Sequence, residues 1–294
     1  MTEPYFTEIA DEVFAFVQPP GGWCVSNSGV VTGPEATVVV DTAATVARAE
    51  RLRAGIRQRS APGAPLTVVN THFHGDHTFG NCVFGPAATI VAHEVCRTEM
   101  AEAGLGLTRL WPDVEWGDVS VVLPGVTFSQ RLSLHTGTHD LELLHLGPAH
   151  TRGDTVVWLP GRKTLFAGDI VMKDVTPFCL MGSVSGSLDA LDRLRELGAE
   201  AIVPGHGPVC GPEVLDECAA YLRWVRELAV AGIEAGESAL DVARQADPWD
   251  LLDPERLLPN LVRAYAEILG SEVDEMAAFG QMLAFHGALP DCRA

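Results

Sequence analysis

Four side chains able to hold a metal crowd into six residues of this chain: His72, His74, Asp76 and His77, in the run Thr71-His72-Phe73-His74-Gly75-Asp76-His77. The apolar run Leu66-Thr67-Val68-Val69-Asn70 stands directly before them, bounded by Pro65, and reads as a buried strand. A strand that ends this way delivers ligands to a sheet edge, where they can converge on a metal. His72 and His74 are two apart, so on an extended chain they face the same side. Asp76 and His77 lie past the strand, where a turn can swing them toward a second position. The plainer alternative, a polar surface loop with histidines, is weakened by three further residues downstream.

His150 follows the apolar segment Leu141–Leu146 within Gly147-Pro148-Ala149-His150-Thr151-Arg152-Gly153-Asp154. Asp169 follows Leu165-Phe166-Ala167-Gly168, and His206 follows Ala201-Ile202-Val203-Pro204-Gly205. Each time an apolar strand runs into a small, glycine-bearing turn with one ligand-type residue. Glycine there lets the backbone pass close to a metal without a Cβ in the way. Five histidines and two aspartates are too many for one catalytic zinc, which takes three protein ligands plus water. They suit two metals ~3.5–4 Å apart with a carboxylate between them. Without a thiolate in the set, the ligands are hard enough for zinc, manganese or iron.

The elements that must position these residues can be read along the chain. Residues 6–18 and 23–41 read as successive strands, with a hairpin of Val30-Val31-Thr32 and Thr37-Val38-Val39-Val40 around Gly33-Pro34-Glu35-Ala36. Thr45 to Arg59 has helical spacing. Ala88–Ala92 reads as a strand and His93–Ala103 as a helix; residues 104–120 are irregular. Strands resume at 126–128, 131–134, 141–146, 155–159, 164–167 and 201–203, with a helix over 187–197. From Gly211 the pattern is helical, broken near Gly232–Glu237 and by Pro248, Pro254 and Pro259. The expected organisation is a strand-rich α/β catalytic domain over residues 1–210 and a helical extension over 211–294, packed on or near the core.

Composition narrows the function. A chain of 294 residues, 47% hydrophobic, can bury a large core. No apolar run approaches the ~20 residues of a membrane span, and the acidic Met1-Thr2-Glu3-Pro4-Tyr5 lacks the features of a secretory signal. The expectation is a cytoplasmic protein with no membrane partner. A net charge of −19 repels polyanions, so nucleic acid is not expected as a partner. Seven scattered cysteines without a C-x-x-C pair predict reduced thiols rather than a disulfide framework or zinc ribbon.

On His72-x-His74-x-Asp76-His77, His150, Asp169 and His206, in that order over residues 8–210, the chain resembles the metallo-β-lactamase superfamily. The resemblance implies a four-layer αββα sandwich. It implies that His72, His74 and His150 hold one divalent metal, that Asp76, His77 and His206 hold a second, and that Asp169 bridges. Zinc is the expected metal, with manganese or iron as alternatives, and Asp76 is read as catalytic as well as a ligand. Antibiotic-hydrolysing members usually lack the bridging aspartate and are exported, so the chain looks more like the glyoxalase II-like branch, which often cleaves thioesters. Gly21-Gly22-Trp23-Cys24-Val25-Ser26-Asn27, Phe178–Ser183 and the helical tail look similar to the thioesterase/cyclases of aromatic polyketide pathways. The expected function is hydrolysis of an acyl bond (thioester, ester or lactone) by a bridging hydroxide. The expected partner is a small acyl substrate, free or carrier-bound, and a homodimer is allowed. A mononuclear iron persulfide dioxygenase and a β-lactam hydrolase are the alternatives.

Outside this set, His93 reads as a helix cap or packing residue, His135 and His139 as surface residues, and His145 as a satisfied sheet residue. Asp154 reads as a turn residue or a support for a ligand histidine. Cys24 and Cys179 read as small buried hydrophobes. Trp111, Trp116 and Phe178 are equally suited to a pocket wall or to the core, and the tail reads as a helical cap or an oligomer contact.

Overall fold

The computed structural model describes residues 3–294. The first sheet runs in chain order: β1 (Tyr5–Ala10), β2 (Val13–Val17), β3 (Ser28–Val31), β4 (Thr37–Val40), β5 (Leu66–Val69), β6 (Ala88–His93) and β7 (Val126–Phe128). β1 to β4 are antiparallel, and β4 to β7 are parallel. The parallel half needs crossovers: α1 (Val46–Arg59), the short α2 (Gly75–Thr78) and α3 (Asn81–Phe84), and α4 (Glu94–Ala103). The second sheet contains β8 (Arg131–His135), β9 (Asp140–His145), β10 (Thr155–Leu159), β11 (Thr164–Met172) and β12 (Ala201–His206), in the order 12-11-10-9-8. Only its β11–β12 pair is parallel, and α5 (Val184–Leu197) makes that crossover. The tail is α6 (Glu213–Ala235), α7 (Ala239–Gln245), α8 (Leu257–Leu269) and α9 (Glu275–His286).

Side-chain alternation builds the layers, because successive residues of a strand face opposite sides of the sheet. Val31, Val38, Val40, Val69 and Val91 meet Leu141, Leu143, Val157, Leu159, Phe166 and Val203 between the sheets. Their neighbours Val30, Val39, Val68 and Ile90 face outward and pack on Leu52 and Ile56 of α1. On the second sheet, Val156, Trp158, Leu165 and Ala167 face outward onto α5, α6 and α8. Helix, sheet, sheet, helix is thus the order of layers, each closed by residues that alternate in the strands. Burying each of these aliphatic side chains is worth roughly 1.5–3 kcal/mol relative to exposure.

The hairpin is present, with Val31 opposite Val38. Residues 23–27 depart from the expected strand: Cys24 has φ 63°, and the segment is held to β12, with Asn27 N donating to Gly205 O at 2.7 Å. Asp169 also departs, lying inside β11 rather than after it. A register shift at Gly168, where φ is 53°, turns the chain at that point. Pro259 does not break the tail but sits in the first turn of α8, where a backbone N–H has no intrahelical partner to lose. Gly236 (φ 71°) ends α6 where the break near Gly232–Glu237 is expected. Among the described residues, no helix is long and apolar enough to cross a membrane.

Candidate metal centre

The structure brings all seven sequence-selected residues together at one end of the sandwich. His72 lies just past β5, His74 caps the start of α2, and Asp76 and His77 lie within it. His150 comes from the loop after β9, Asp169 from β11, and His206 from the end of β12. All but His74 are buried.

They fall into two clusters. In the first, His74 Nδ1 lies 3.1 Å from His72 Nε2 and 2.9 Å from His150 Nε2. Asp169 Oδ2 joins it at 3.8 and 3.4 Å from the same two nitrogens. In the second, Asp76 Oδ2 lies 3.7 Å from His77 Nε2 and 3.3 Å from His206 Nε2. Asp169 reaches this cluster too, with Oδ1 3.2 Å from His77 Nε2 and Oδ2 3.3 Å from His206 Nε2. Within each cluster the candidate ligand atoms lie within 4.8 Å of one another.

The donor set fits a metal. His77 Nε2 and Asp169 Oδ1 are buried without a hydrogen-bond partner. Leaving such groups unsatisfied costs about 1–3 kcal/mol each, which a cation among them would offset. The outer ring nitrogens are engaged elsewhere, so the inner lone pairs stay free for a ligand role. His77 Nδ1 donates to Asp41 Oδ2 at 2.8 Å, His206 Nδ1 to Gly21 O at 2.9 Å, and His150 Nδ1 to Phe178 O. His72 Nδ1 lies 3.0 Å from Thr71 Oγ1, whose own hydrogen goes to Asp41 Oδ2 at 2.7 Å. His74 is the exception: its outer Nε2 meets only Met181 Sδ, at 3.2 Å.

Asp41 escaped the sequence reading. It follows β4 with φ 61°, is buried, and also accepts from Thr71 N at 2.8 Å. One carboxylate therefore orients residues serving both clusters. The available signal was an aspartate ending a wholly buried strand, Thr37–Val40. Asn27 and Ser26, in the Gly21–Asn27 segment, also support the site. Asn27 Nδ2 donates to Pro204 O (2.9 Å) and Gly207 O (2.7 Å) on either side of His206, and Ser26 Oγ donates to Asp76 O at 2.7 Å. Gly205 has a steric reason as well, since a Cβ there would stand 1.8 Å from Asp169 Oδ1.

The clusters differ in charge. Burial and the neighbouring His77 hold His72 well below the usual imidazole range; burial and His150 push His74 down to about 3. Burial takes His150 down to about 4, against the pull of Asp169. In the second cluster burial acts the same way but the carboxylates outweigh it. Asp169 and Asp76 raise His77 well above its usual value and His206 to about 9. Burial would raise both carboxyls, yet the facing imidazoles hold Asp76 and Asp169 below the ordinary carboxylate range.

Both clusters form the floor of a cavity of about 400 Å³, walled by Trp23, Phe73, Phe79, Phe178, Met181 and Phe279. The tail supplies part of the wall: Arg256, Glu275, Met276 and Phe279 all reach it. Arg256 is buried, pairs with Asp253 at 2.9 Å, and lies 4.2 Å over the Trp23 ring. Trp23 is held in turn by Nε1 donating to Glu255 Oε1 at 2.6 Å.

The remaining candidates are placed as follows. His93 accepts from Val95 N as the cap of α4, and its ring stacks on His145 at 3.9 Å. His145 Nδ1 donates to Asp154 O at 2.8 Å. Asp154 serves its own loop, accepting from Ala149 N, Thr151 N and Thr151 Oγ1, and burial pushes its carboxyl up to about 7. His135 is exposed. His139 is not: the Thr136–His139 turn folds it back toward Glu12 at 3.6 Å, leaving it buried. All seven cysteines are free, and Cys24 lines the cavity while Cys179 does not. Phe178 belongs to the cavity wall; Trp111 and Trp116 are core residues behind it.

Comparison with known proteins agrees with this geometry. Bovine (Bos taurus) acyl-coenzyme A thioesterase MBLAC2 is 27% identical over 215 residues, covering 65% of this chain and 76% of the relative. Human (Homo sapiens) metallo-beta-lactamase domain-containing protein 1 is 30% identical over 200 residues, covering 65% of each chain. Among solved structures, a metallo-beta-lactamase from Pontibacter korlensis superposes with a TM-score of 0.62 at 23% identity, over 75% of this chain and 99% of the other, a likeness of fold. The profile of the metallo-beta-lactamase superfamily matches residues 21–206, a span that contains all seven clustered residues and ends on the last of them, His206. The chain belongs to the metallo-beta-lactamase superfamily.

Proposed function

We propose that the protein is a dinuclear metal-dependent hydrolase that cleaves an acyl bond in a thioester, ester or lactone. The observation that carries this reading is Asp169: one carboxylate lies within 4 Å of imidazoles from both clusters. His72, His74 and His150 would hold one ion, Asp76, His77 and His206 the other, with Asp169 between them; zinc suits the mixed imidazole and carboxylate set. When bound, such ions polarise a carbonyl and lower the pKa of water from ~15.7 toward ~7.

The protein's own groups do the rest. Asp76 Oδ2 is turned to His77 and His206, which leaves its Oδ1 to accept a proton from the attacking water. The aromatic wall excludes bulk water and takes up the apolar part of the acyl group. The name of the bovine relative, an acyl-coenzyme A thioesterase, supports a thioester. The aromatic lining favours a ring-bearing acyl group, in keeping with a thioesterase or cyclase of aromatic polyketides. The complete Asp76, His77 and His206 cluster favours two ions over the single iron of a persulfide dioxygenase.

Metal quantification followed by a panel of acyl thioesters, lactones and lactams tests the proposal. Two zinc per chain, with thioester or lactone turnover that a chelator abolishes, is the expected result. One iron per chain with oxygen-dependent persulfide consumption, or turnover of lactams alone, would overturn it.

A further inference from the structure

The tail meets the catalytic half through a polar stripe as well as through apolar packing. Arg256 at the cap of α8 and Asn260, Arg263 and Glu267 within it fall at spacings of four, three and four, so they share one face. That face grips the segment that leads from β11 into the first turn of α5. Arg256 Nη1 donates to Thr176 O at 3.1 Å, and Arg263 Nε to Leu180 O at 2.7 Å. Glu267 accepts from Val184 N at 2.7 Å and from Ser185 N at 3.0 Å. Asn260, fully buried, does both: Nδ2 donates to Pro177 O at 2.7 Å, and Oδ1 accepts from Cys179 N at 2.8 Å. A carbonyl only accepts and an N–H only donates, so these partners fix which way the amide points.

The Cys179 N–H belongs to the same peptide group as the Phe178 carbonyl, and that carbonyl accepts from His150 Nδ1. One rigid peptide plane therefore joins Asn260 to a histidine of the first cluster. An amide that donates through its N–H becomes a better acceptor at its C=O, because chained hydrogen bonds polarise one another. A firm acceptor at Nδ1 keeps the proton there and leaves the Nε2 lone pair facing inward, 2.9 Å from His74 Nδ1. The same segment carries Met181, whose Sδ lies 3.2 Å from His74 Nε2. His77 and His206 of the second cluster are held from elsewhere, by Asp41 and by Gly21 O.

We propose that Asn260 is a positioning residue for His150: through the Phe178–Cys179 peptide, the helical tail sets the tautomer of a first-cluster histidine. The tail is then part of the metal centre rather than a cover laid over it. The consequence for metal affinity rests on the two-ion reading above, whereas the tautomer does not.

Ring-nitrogen NMR of the histidines in the metal-free full chain at neutral pH, followed by zinc titration against a fluorescent chelator, tests this. The wild type should show His150 as a single tautomer with its proton on Nδ1. Asn260→Ala should mix the two tautomers and weaken zinc at the first cluster about 10–100-fold, leaving the second unchanged. Asn260→Asp should restore both readouts, because a buried neutral acid can accept from Cys179 N and donate to Pro177 O. Arg263→Ala releases Leu180 O but not the Phe178–Cys179 peptide, so the His150 tautomer should stay as in the wild type. A wild-type His150 protonated on Nε2 overturns the proposal without any variant. So does an Asn260→Ala chain that keeps both tautomer and affinity, or one that weakens both clusters equally. Where Asn260→Ala does not fold, Asn260→Ser, whose oxygen sits one bond short of the amide position, repeats the comparison. A wild type that binds no zinc would sink the two-ion reading, and the tautomers would still decide the role of Asn260.

Discussion

The two clusters at the sandwich end sit side by side and share Asp169, yet they are prepared for a cation in opposite ways. His72, His74 and His150 are held neutral by burial, so their lone pairs are available across the ordinary pH range. His77 and His206 face carboxylates that favour their protonated form, and protons stand where a metal would. Burial is the same in both clusters; the neighbouring carboxylates decide the difference. On the two-ion proposal, the first cluster would be preorganised for metal, whereas the second would exchange protons for it.

Breaking the shared carboxylate should have the largest effect. Asp169→Ala is expected to lower turnover by about 10³-fold or more, since both ions lose their common ligand. Its metal content should fall at both clusters; a variant that keeps two ions and near-normal turnover would falsify the bridging role. Asp76→Ala isolates the second cluster. Metal analysis should drop from two ions to one, with turnover reduced about 10²-fold or more, while loss of both ions would show that the clusters are not separable.

Acid sharpens the same contrast. His206 rises to about 9 in the metal-free protein, so below that pH a metal must displace its proton. Apparent affinity at the second cluster should weaken about tenfold per pH unit for each proton displaced. His74 and His150, at about 3 and 4, predict little change at the first cluster until pH approaches 4. Zinc titrations from pH 5 to 9 should therefore show one site fading and one steady; two sites fading together would remove the distinction. For the metal-free fold, His206 lies above its ordinary 6.5. Its stabilising contribution is complete below about pH 6.5 and is lost as pH rises through 9, a trend that thermal melts in chelator would reveal.

The smallest of these effects belongs to the supporting residues. Asp41→Asn keeps the shape but weakens the acceptor for His77 Nδ1 and Thr71 Oγ1. A loss of about 10–100-fold in metal affinity is expected, greater at the second cluster because His77 is held directly and His72 only through Thr71. Competition with a fluorescent zinc chelator measures both constants.

That these seven residues would converge was legible because their types are rare at strand ends and each follows an apolar run. The layers were legible because Val38-Val39-Val40 and Val156-Val157-Trp158 alternate their faces with a period of two. Asp41, Asn27 and Glu255 were not legible as supports, since each acts on a residue brought near only by folding. His139 carried no sign of burial, because its turn is polar and its cover comes from elsewhere in the chain. The tail reads as a helical cap or an oligomer contact, and nothing in its spacing announced that Phe279 and Arg256 reach the wall of the cavity.

By itself, the sequence determined which residues can bind metal, which stretches are strands, and that the core is apolar enough to close over them. These follow from side-chain chemistry and short-range periodicity, which a linear chain carries in full. Tertiary structure alone decided which nitrogen of each imidazole points inward, that Asp169 touches both clusters, and that one cluster is neutral while the other is protonated. Each of these depends on distances of a few ångströms between residues far apart in the chain, and both hydrogen bonding and Coulomb interactions change sharply over that range.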